Sequence, residues 1–162
     1  MALIKEFFME WTTTMERFGA SIGIDHLAPD TGNCCSLLFD SQDEITFTHD
    51  EEDRSLLLYS EIGSASGLSR EACLTLLKAS LLGAETGGAA LSIHDRLDQV
   101  VLWKRYDDNT LTADTMKDAV NSFLAQISFW KKRLAELATE YETENTPGEN
   151  SAITMDNFGM FV

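Results

Sequence analysis

Positive charge is scarce in this sequence. It contains 12 Lys and Arg against 27 Asp and Glu, which gives a formal net charge of -15 at pH 7. Nucleic-acid binding needs a basic surface from which phosphate counterions are released, so this balance argues against a nucleic-acid partner. It disfavours binding to an anionic membrane surface as well.

Cysteines and long apolar runs are also few. Cys34, Cys35 and Cys73 are odd in number and lack metal-ligand spacing, which argues against a disulfide framework or a zinc site. No run approaches the roughly 18 apolar residues needed to cross a membrane. Residues 1–18 carry three glutamates among their apolar residues and lack the basic start of a signal peptide. We therefore expect a cytoplasmic protein without a membrane partner.

The length of the chain fits one domain. With 162 residues, of which 44% are hydrophobic, the sequence can bury one core and is too short for two ordinary domains. We predict a domain over residues 1–141. Residues 142–162 are acidic and contain Pro147 and Gly148, so we predict a flexible tail there, although its last residues, Phe158 to Val162, are apolar and have no assigned role.

The spacing of apolar residues predicts three helices and five strands. Apolar residues at three- and four-residue steps indicate a first helix ending at Gly19, a second capped by Ser69, and a long third capped by Thr112. Extended runs separated by short turns predict an antiparallel sheet. The predicted strands are Cys34–Phe39, Ile45–His49, Ser55–Ser60, Ala89–His94 and Gln99–Tyr106. We therefore predict an α+β fold in which three helices pack on a twisted antiparallel sheet, in the order α-β-β-β-α-β-β-α.

No arrangement in the sequence predicts catalysis. The three histidines lie in different segments, and the neighbouring Cys34 and Cys35 lack the two-residue spacer of redox pairs. The glycine-rich segment 83–88 follows a helix and precedes a strand, the reverse of a phosphate-binding loop. The acidic runs lack the glycine-centred calcium loop. We expect no enzyme activity, no cofactor and no metal.

Three segments taken in order resemble a known family. Residues 74–83 (LTLLKASLLG), 86–91 (TGGAAL) and 99–103 (QVVLW) resemble the central signature of type III secretion effector chaperones, the Tir chaperone or CesT-like family. The small size, the acidic charge and the order of elements agree, and the resemblance spans roughly residues 1–140. It implies a bacterial cytoplasmic homodimer that binds an extended N-terminal segment of a secreted effector and keeps it soluble and competent for export.

The resemblance also implies sites. Dimer contacts in this family come from the second helix and the following strand, which here implies Leu77, Leu81, Leu91 and Ile93. The first helix and the exposed sheet contact effectors, and the secretion-system ATPase is a further candidate partner. The partner-binding residues implied here are Phe7, Trp11, Phe47, Leu57 and Tyr59.

A second function remains open on the same scaffold. A regulatory protein of this fold would sequester a transcriptional antagonist and so couple secretion to gene expression. The acidic surface suits both roles, and the sequence does not separate them.

Overall fold

The computed structural model describes the backbone of residues 2–108 and 110–144, and the side chains of residues 11–108 and 110–139. Three helices and five strands alternate in the predicted order, so the predicted fold class is confirmed. The helices are α1 (Ala2–Ser21), α2 (Arg70–Ala79) and α3 (Ala113–Glu144), and a 3₁₀ turn (Leu81–Gly83) follows α2. The strands are β1 (Cys34–Phe39), β2 (Asp43–Asp50), β3 (Ser55–Ser64), β4 (Ala90–His94) and β5 (Gln99–Asp107).

The five strands form one antiparallel sheet in the order β1-β2-β3-β5-β4. Short turns join β1 to β2, β2 to β3, and β4 to β5, as the acidic turn sequences predict. The chain leaves the sheet after β3, forms α2, and returns to the far edge as β4. This edge position brings β4 beside α2 rather than beside β3.

One face of the sheet carries the core. Ile45 and Phe47 on β2, Leu56 and Leu58 on β3, and Leu102 on β5 point to this face and are almost completely buried. Side chains of all three helices belong to the same buried cluster. The three helices therefore pack on a single face of the sheet.

The long helix α3 extends along this core. Its buried positions recur every three or four residues, which confirms the predicted apolar stripe. They are Met116, Val120, Phe123, Ile127, Trp130, Leu134 and Leu137. The helix approaches β3 so closely at Gly63 that a Cβ atom there would lie 2.7 Å from Leu134 Cδ2, and φ at Gly63 is +153°. Glycine is therefore required where α3 crosses the sheet.

Element ends differ from the predictions by a few residues. The side chain of Ser69 accepts a hydrogen bond from the Ala72 N–H, which confirms the predicted N-cap of α2. The helix ends at Ala79, before the predicted stop at Gly83. Helix α3 continues to Glu144, three residues past the predicted domain boundary. The rest of the predicted 142–162 tail, including Phe158–Val162, lies outside the described residues.

Candidate functional site

Helix α2 has two apolar sides, and only one of them packs on the sheet. Ala72, Leu76 and Ala79 are buried in the core. On the opposite side, Leu77 is 66% exposed, and Leu81, in the 3₁₀ turn that follows the helix, is 67% exposed. An amphipathic helix of a monomer normally exposes polar residues here, so this second apolar stripe indicates a contact surface.

The apolar surface continues onto the neighbouring turn and strand. Leu82 is 95% exposed and Ile93 on β4 is about half exposed. We call the four residues Leu77, Leu81, Leu82 and Ile93 the α2–β4 patch. Three of the four predicted dimer residues belong to it, and the fourth, Leu91, lies beneath them and is buried.

A groove of about 250 Å³ lies within this surface, between α2 and the sheet. Apolar atoms make up nearly all of its lining, and Ser92 is its one hydroxyl residue. The lining residues are Cys73, Leu76, Leu77, Leu91, Ser92, Ile93 and Val100. A groove of this chemistry accepts an aliphatic or aromatic side chain and offers almost nothing to a polar one.

A network of hydrogen bonds holds the turn that presents Leu82. The Ser80 hydroxyl donates to the Leu76 carbonyl at 2.9 Å and accepts from the Leu91 N–H at 2.9 Å, which fixes the end of α2 to β4. The Gly88 N–H donates to the Gly83 carbonyl at 2.9 Å. The Lys104 ammonium donates to the Gly87 carbonyl at 2.7 Å. Each end of the turn is thus tied to the sheet.

The sequence predictions did not include Leu82. Its backbone has φ +55°, a left-handed conformation that is rare for a bulky side chain. The only signal in the sequence is its position between a helix end and Gly83, where left-handed residues are common. A glycine or asparagine is the usual occupant of such a position, so the pattern alone does not predict a leucine pointing into solvent.

The second uncovered surface is the sheet face opposite the helices. Leu57 and Tyr59 on β3 and Val101 and Trp103 on β5 point to this side and are partly exposed. Tyr59 pairs directly with Trp103 across the two strands. We call these four residues the open face. Cross-strand aromatic pairs stabilise a sheet and also offer a broad apolar contact area.

Polar groups frame the open face. The Trp103 indole N–H donates to the Ser92 hydroxyl at 2.9 Å, and the hydroxyls of Ser36 and Thr46 lie 2.7 Å apart. Arg105 forms an ion pair with Asp53 at 2.9 Å. The face is therefore apolar at its centre, on β3 and β5, and polar toward its rim.

The five residues predicted to bind a partner lie in different environments. Leu57 and Tyr59 are on the open face. Phe47 is completely buried and packs against Phe18, with ring centroids 6.0 Å apart. Trp11 is 6% exposed and stacks on His49 at 5.1 Å. Phe7 lies in the first half of α1, whose side chains are not described. The partner-binding assignment stays a prediction for all five.

A histidine and a carboxylate that lie 59 residues apart in sequence meet in the structure. His49 Nε2 is 3.2 Å from both carboxylate oxygens of Asp108. The histidine side chain is buried beneath Trp11, so a substrate has no access to it. The His49–Asp108 contact links the end of β5 to β2. No spacing of residues in the sequence predicts this contact.

Among the residues whose side chains the structure describes, Cys35 and Tyr106 have raised pKa values. Burial raises the pKa of the Cys35 thiol, and the nearby charges of Asp30 and Cys34 add to the effect. Burial also raises the pKa of the Tyr106 hydroxyl, on the core side of β5. Both groups therefore stay neutral at physiological pH.

Family comparison agrees with this architecture. The sequence matches the Tir chaperone protein (CesT) family over residues 13–131. No curated protein matches the sequence. None of the described helices is both long enough and apolar enough to pass through a membrane.

Several solved structures share the fold. A chain of the ExsC–ExsE complex superimposes with a TM-score of 0.71 at 20% identity, covering 78% of this chain and 95% of its own. A chain of the HopA1–SchA chaperone–effector complex gives 0.69 at 17% identity, covering 78% and 97%. A chain of the ExoU–SpcU heterodimer from the type III secretion system of Pseudomonas aeruginosa gives 0.57 at 22% identity, covering 76% and 96%. At these identities the likeness concerns the fold.

Proposed function

Since the chain belongs to the Tir chaperone protein (CesT) family, we propose that it is a homodimeric type III secretion chaperone that binds an extended N-terminal segment of an effector. Binding keeps that segment soluble and competent for export. The observation that carries the proposal is the pair of apolar surfaces, the α2–β4 patch and the open face, that the helices of the protomer leave uncovered.

The α2–β4 patch suits contact with a second copy. Full burial of one aliphatic side chain contributes about 1.5–3 kcal/mol, so the exposed fractions of the four patch residues amount to about 4–8 kcal/mol per protomer. Association costs an estimated 4–15 kcal/mol in lost translational and rotational freedom. Two patches joined by a two-fold axis therefore supply a stabilisation of the required size.

The open face suits an extended polypeptide. Alternate residues of a strand-like client can place apolar side chains on the Tyr59–Trp103 pair and on Leu57 and Val101. Structures of this fold include one described as a chaperone–effector complex, which supports an effector as the client. The net charge of -15 favours solubility of the complex by mutual repulsion.

The proposal is tested by identifying what copurifies with the tagged protein from its native cell, using mass spectrometry. We expect one dominant secreted protein whose N-terminal segment alone reproduces the binding in a pull-down. A small non-secreted regulator as the dominant partner would instead support the regulatory alternative. Binding that requires only the folded remainder of the effector would contradict the extended-segment proposal.

A further inference from the structure

Two carboxylates lie beside the open face. Glu61 follows Tyr59 by two residues on β3 and pairs with Val101 of β5, so its side chain projects on the same side of the sheet. Thr46 of β2 pairs with Tyr59, and Glu44 precedes Thr46 by two residues. Because β2 and β3 are antiparallel, Glu44 projects on that side as well, toward the same end of the sheet as Glu61. Both side chains are exposed, and we call these two residues the carboxylate pair.

The carboxylate pair makes the open face electrically asymmetric. Within the described part of the chain, neither Glu44 nor Glu61 forms an ion pair. Arg105 lies at the other end of the open face, opposite Leu57, and its charge is balanced by Asp53 at 2.9 Å. The face therefore has a neutral end at Leu57 and a negative end at Glu61.

The spacing along β3 defines the client that would fit. Leu57, Tyr59 and Glu61 are alternate residues of one strand, and side chains on one side of a strand recur about every 6.6 Å. An extended client has the same repeat, so a client lying along β3 places successive alternate side chains over these three positions. Apolar side chains match the first two positions, and a basic side chain matches the third.

A Lys or Arg side chain suits the third position for two reasons. Its aliphatic stem can lie on the Tyr59 and Trp103 rings, whose faces also attract a cation. Its charged end can then meet Glu44 and Glu61, which are not neutralised by the protein itself. An acidic side chain would be repelled from the same place.

Charge also favours a separate polypeptide over the other occupants of this face. Residues 142–162 of the chain contain acidic residues and no Lys or Arg. A second copy of the chain carries the same net charge of -15. Neither brings the positive charge that complements Glu44 and Glu61, whereas a basic client segment does.

We propose that the client segment carries the pattern apolar, any, apolar, any, basic, in either chain direction, and that Glu44 and Glu61 bind its basic residue. The two apolar residues pack on Leu57 and on the Tyr59–Trp103 pair. This inference rests on the proposed function and adds a sequence requirement for the client. It makes the carboxylate pair a determinant of client specificity.

Selection from a displayed peptide library tests the pattern without a known effector. The probe is a phage library of random peptides of about twelve residues, long enough to extend along β3, selected on the immobilised full-length protein. We expect the wild type to select peptides in which Lys or Arg lies two residues from an alternating apolar pair. The double variant Glu44→Gln/Glu61→Gln should select the same apolar alternation without the basic residue.

The matched control is Glu136→Gln, which makes the same chemical change on α3, on the other side of the sheet. It should select the same peptides as the wild type. Apolar alternation without a basic preference in the wild type would overturn the inference and leave the proposed client binding intact. A basic preference that persists in the double variant would also overturn the inference alone. If the wild type selects no alternating apolar peptides, both proposals fail.

Titration of a selected peptide measures the contact itself. The fluorescently labelled peptide and a form with its basic residue replaced by glutamine are compared by anisotropy. Glu44→Gln/Glu61→Gln should raise the dissociation constant of the basic peptide about fivefold and leave that of the glutamine form unchanged. Added salt should weaken the basic peptide more on the wild type than on the double variant. Equal changes for both peptides would overturn the inference, because the carboxylates and the basic residue would then not interact.

Discussion

Leu57 and Leu58 are neighbours on β3 whose side chains point to opposite faces of the sheet. Leu58 is completely buried among core residues, whereas Leu57 belongs to the open face. Truncating each one to alanine makes the same chemical change on the two sides. The pair therefore tests whether one face holds the fold and the other binds a client.

The expected effects differ in kind. Leu58→Ala leaves a cavity in a close-packed core and should cost about 2–5 kcal/mol of unfolding free energy. For a chain of this size that lowers the melting temperature by about 5–20 °C. Leu57→Ala truncates a side chain that is partly exposed to water, so we expect a smaller cost of about 1 kcal/mol. The same variant should weaken binding of the effector segment about tenfold, because one apolar contact is lost.

The measurements are thermal unfolding by circular dichroism and titration of a labelled effector segment followed by fluorescence anisotropy. Leu58→Ala, tested well below its melting temperature, serves as the matched control and should bind the segment normally. If both variants lose stability equally, the assignment of the two faces is refuted. If Leu57→Ala is stable and binds as tightly as the wild type, the open face is not the docking surface.

Three further predictions concern the interface, the titration of a core residue and a helix cap. Leu81→Asp would bury two unpaired charges in the proposed dimer, one from each copy, so sedimentation velocity should show monomers. Leu97→Asp, at an exposed leucine outside the α2–β4 patch, should leave the dimer intact. If both variants sediment as dimers, the proposed interface is wrong. Burial raises the pKa of Tyr106 above 10.0, so the folded chain keeps a proton that the unfolded chain loses. This contribution to the free energy of unfolding is fully present below about pH 10 and is lost as the pH rises further. In urea unfolding, Tyr106→Phe should lose less stability above about pH 10 than the wild type does. If the two proteins lose stability equally, the Tyr106 hydroxyl does not contribute in this way. Ser69→Ala removes the N-cap of α2 and should cost about 1 kcal/mol in urea unfolding, and no change would show that the cap is dispensable.

Local patterns in the sequence predict most of the fold. The spacing of apolar residues places three helices and five strands, and Ser69 and the glycine turn fix where α2 begins and where the chain reverses. Apolar spacing, helix caps and turn residues each involve only a few neighbouring residues, so they can be recognised in a single sequence. Contacts between distant residues have no such signal, which is why the meeting of His49 with Asp108 was not predicted.

Whether an apolar side chain is buried in the protomer is harder to predict than the helix or strand in which it lies. Trp11 and Phe47 lie on apolar stripes that fit either a core or a partner, and in the protomer they are buried. Leu77 on α2 and Leu81 in the turn after it continue an equally apolar pattern and are exposed. Only the assembled sheet distinguishes the two cases, because α2 lies at the β4 edge and cannot bury both of its sides there.

The position of β4 at the edge of the sheet helps to explain why one small domain has two separate apolar surfaces, which we propose to be binding surfaces. Three helices on a single face of the sheet bury one large core, and they cover neither the outer side of α2 nor the opposite face of the sheet. The α2–β4 patch combines a helix stripe with a protruding side chain and a groove, features that fit a second copy of fixed shape. The open face is broad and strand-like, and it fits an extended chain whose side chains alternate. Because the two surfaces lie on different elements, self-association and client binding can occur together, and a variant of one surface should leave the other function intact.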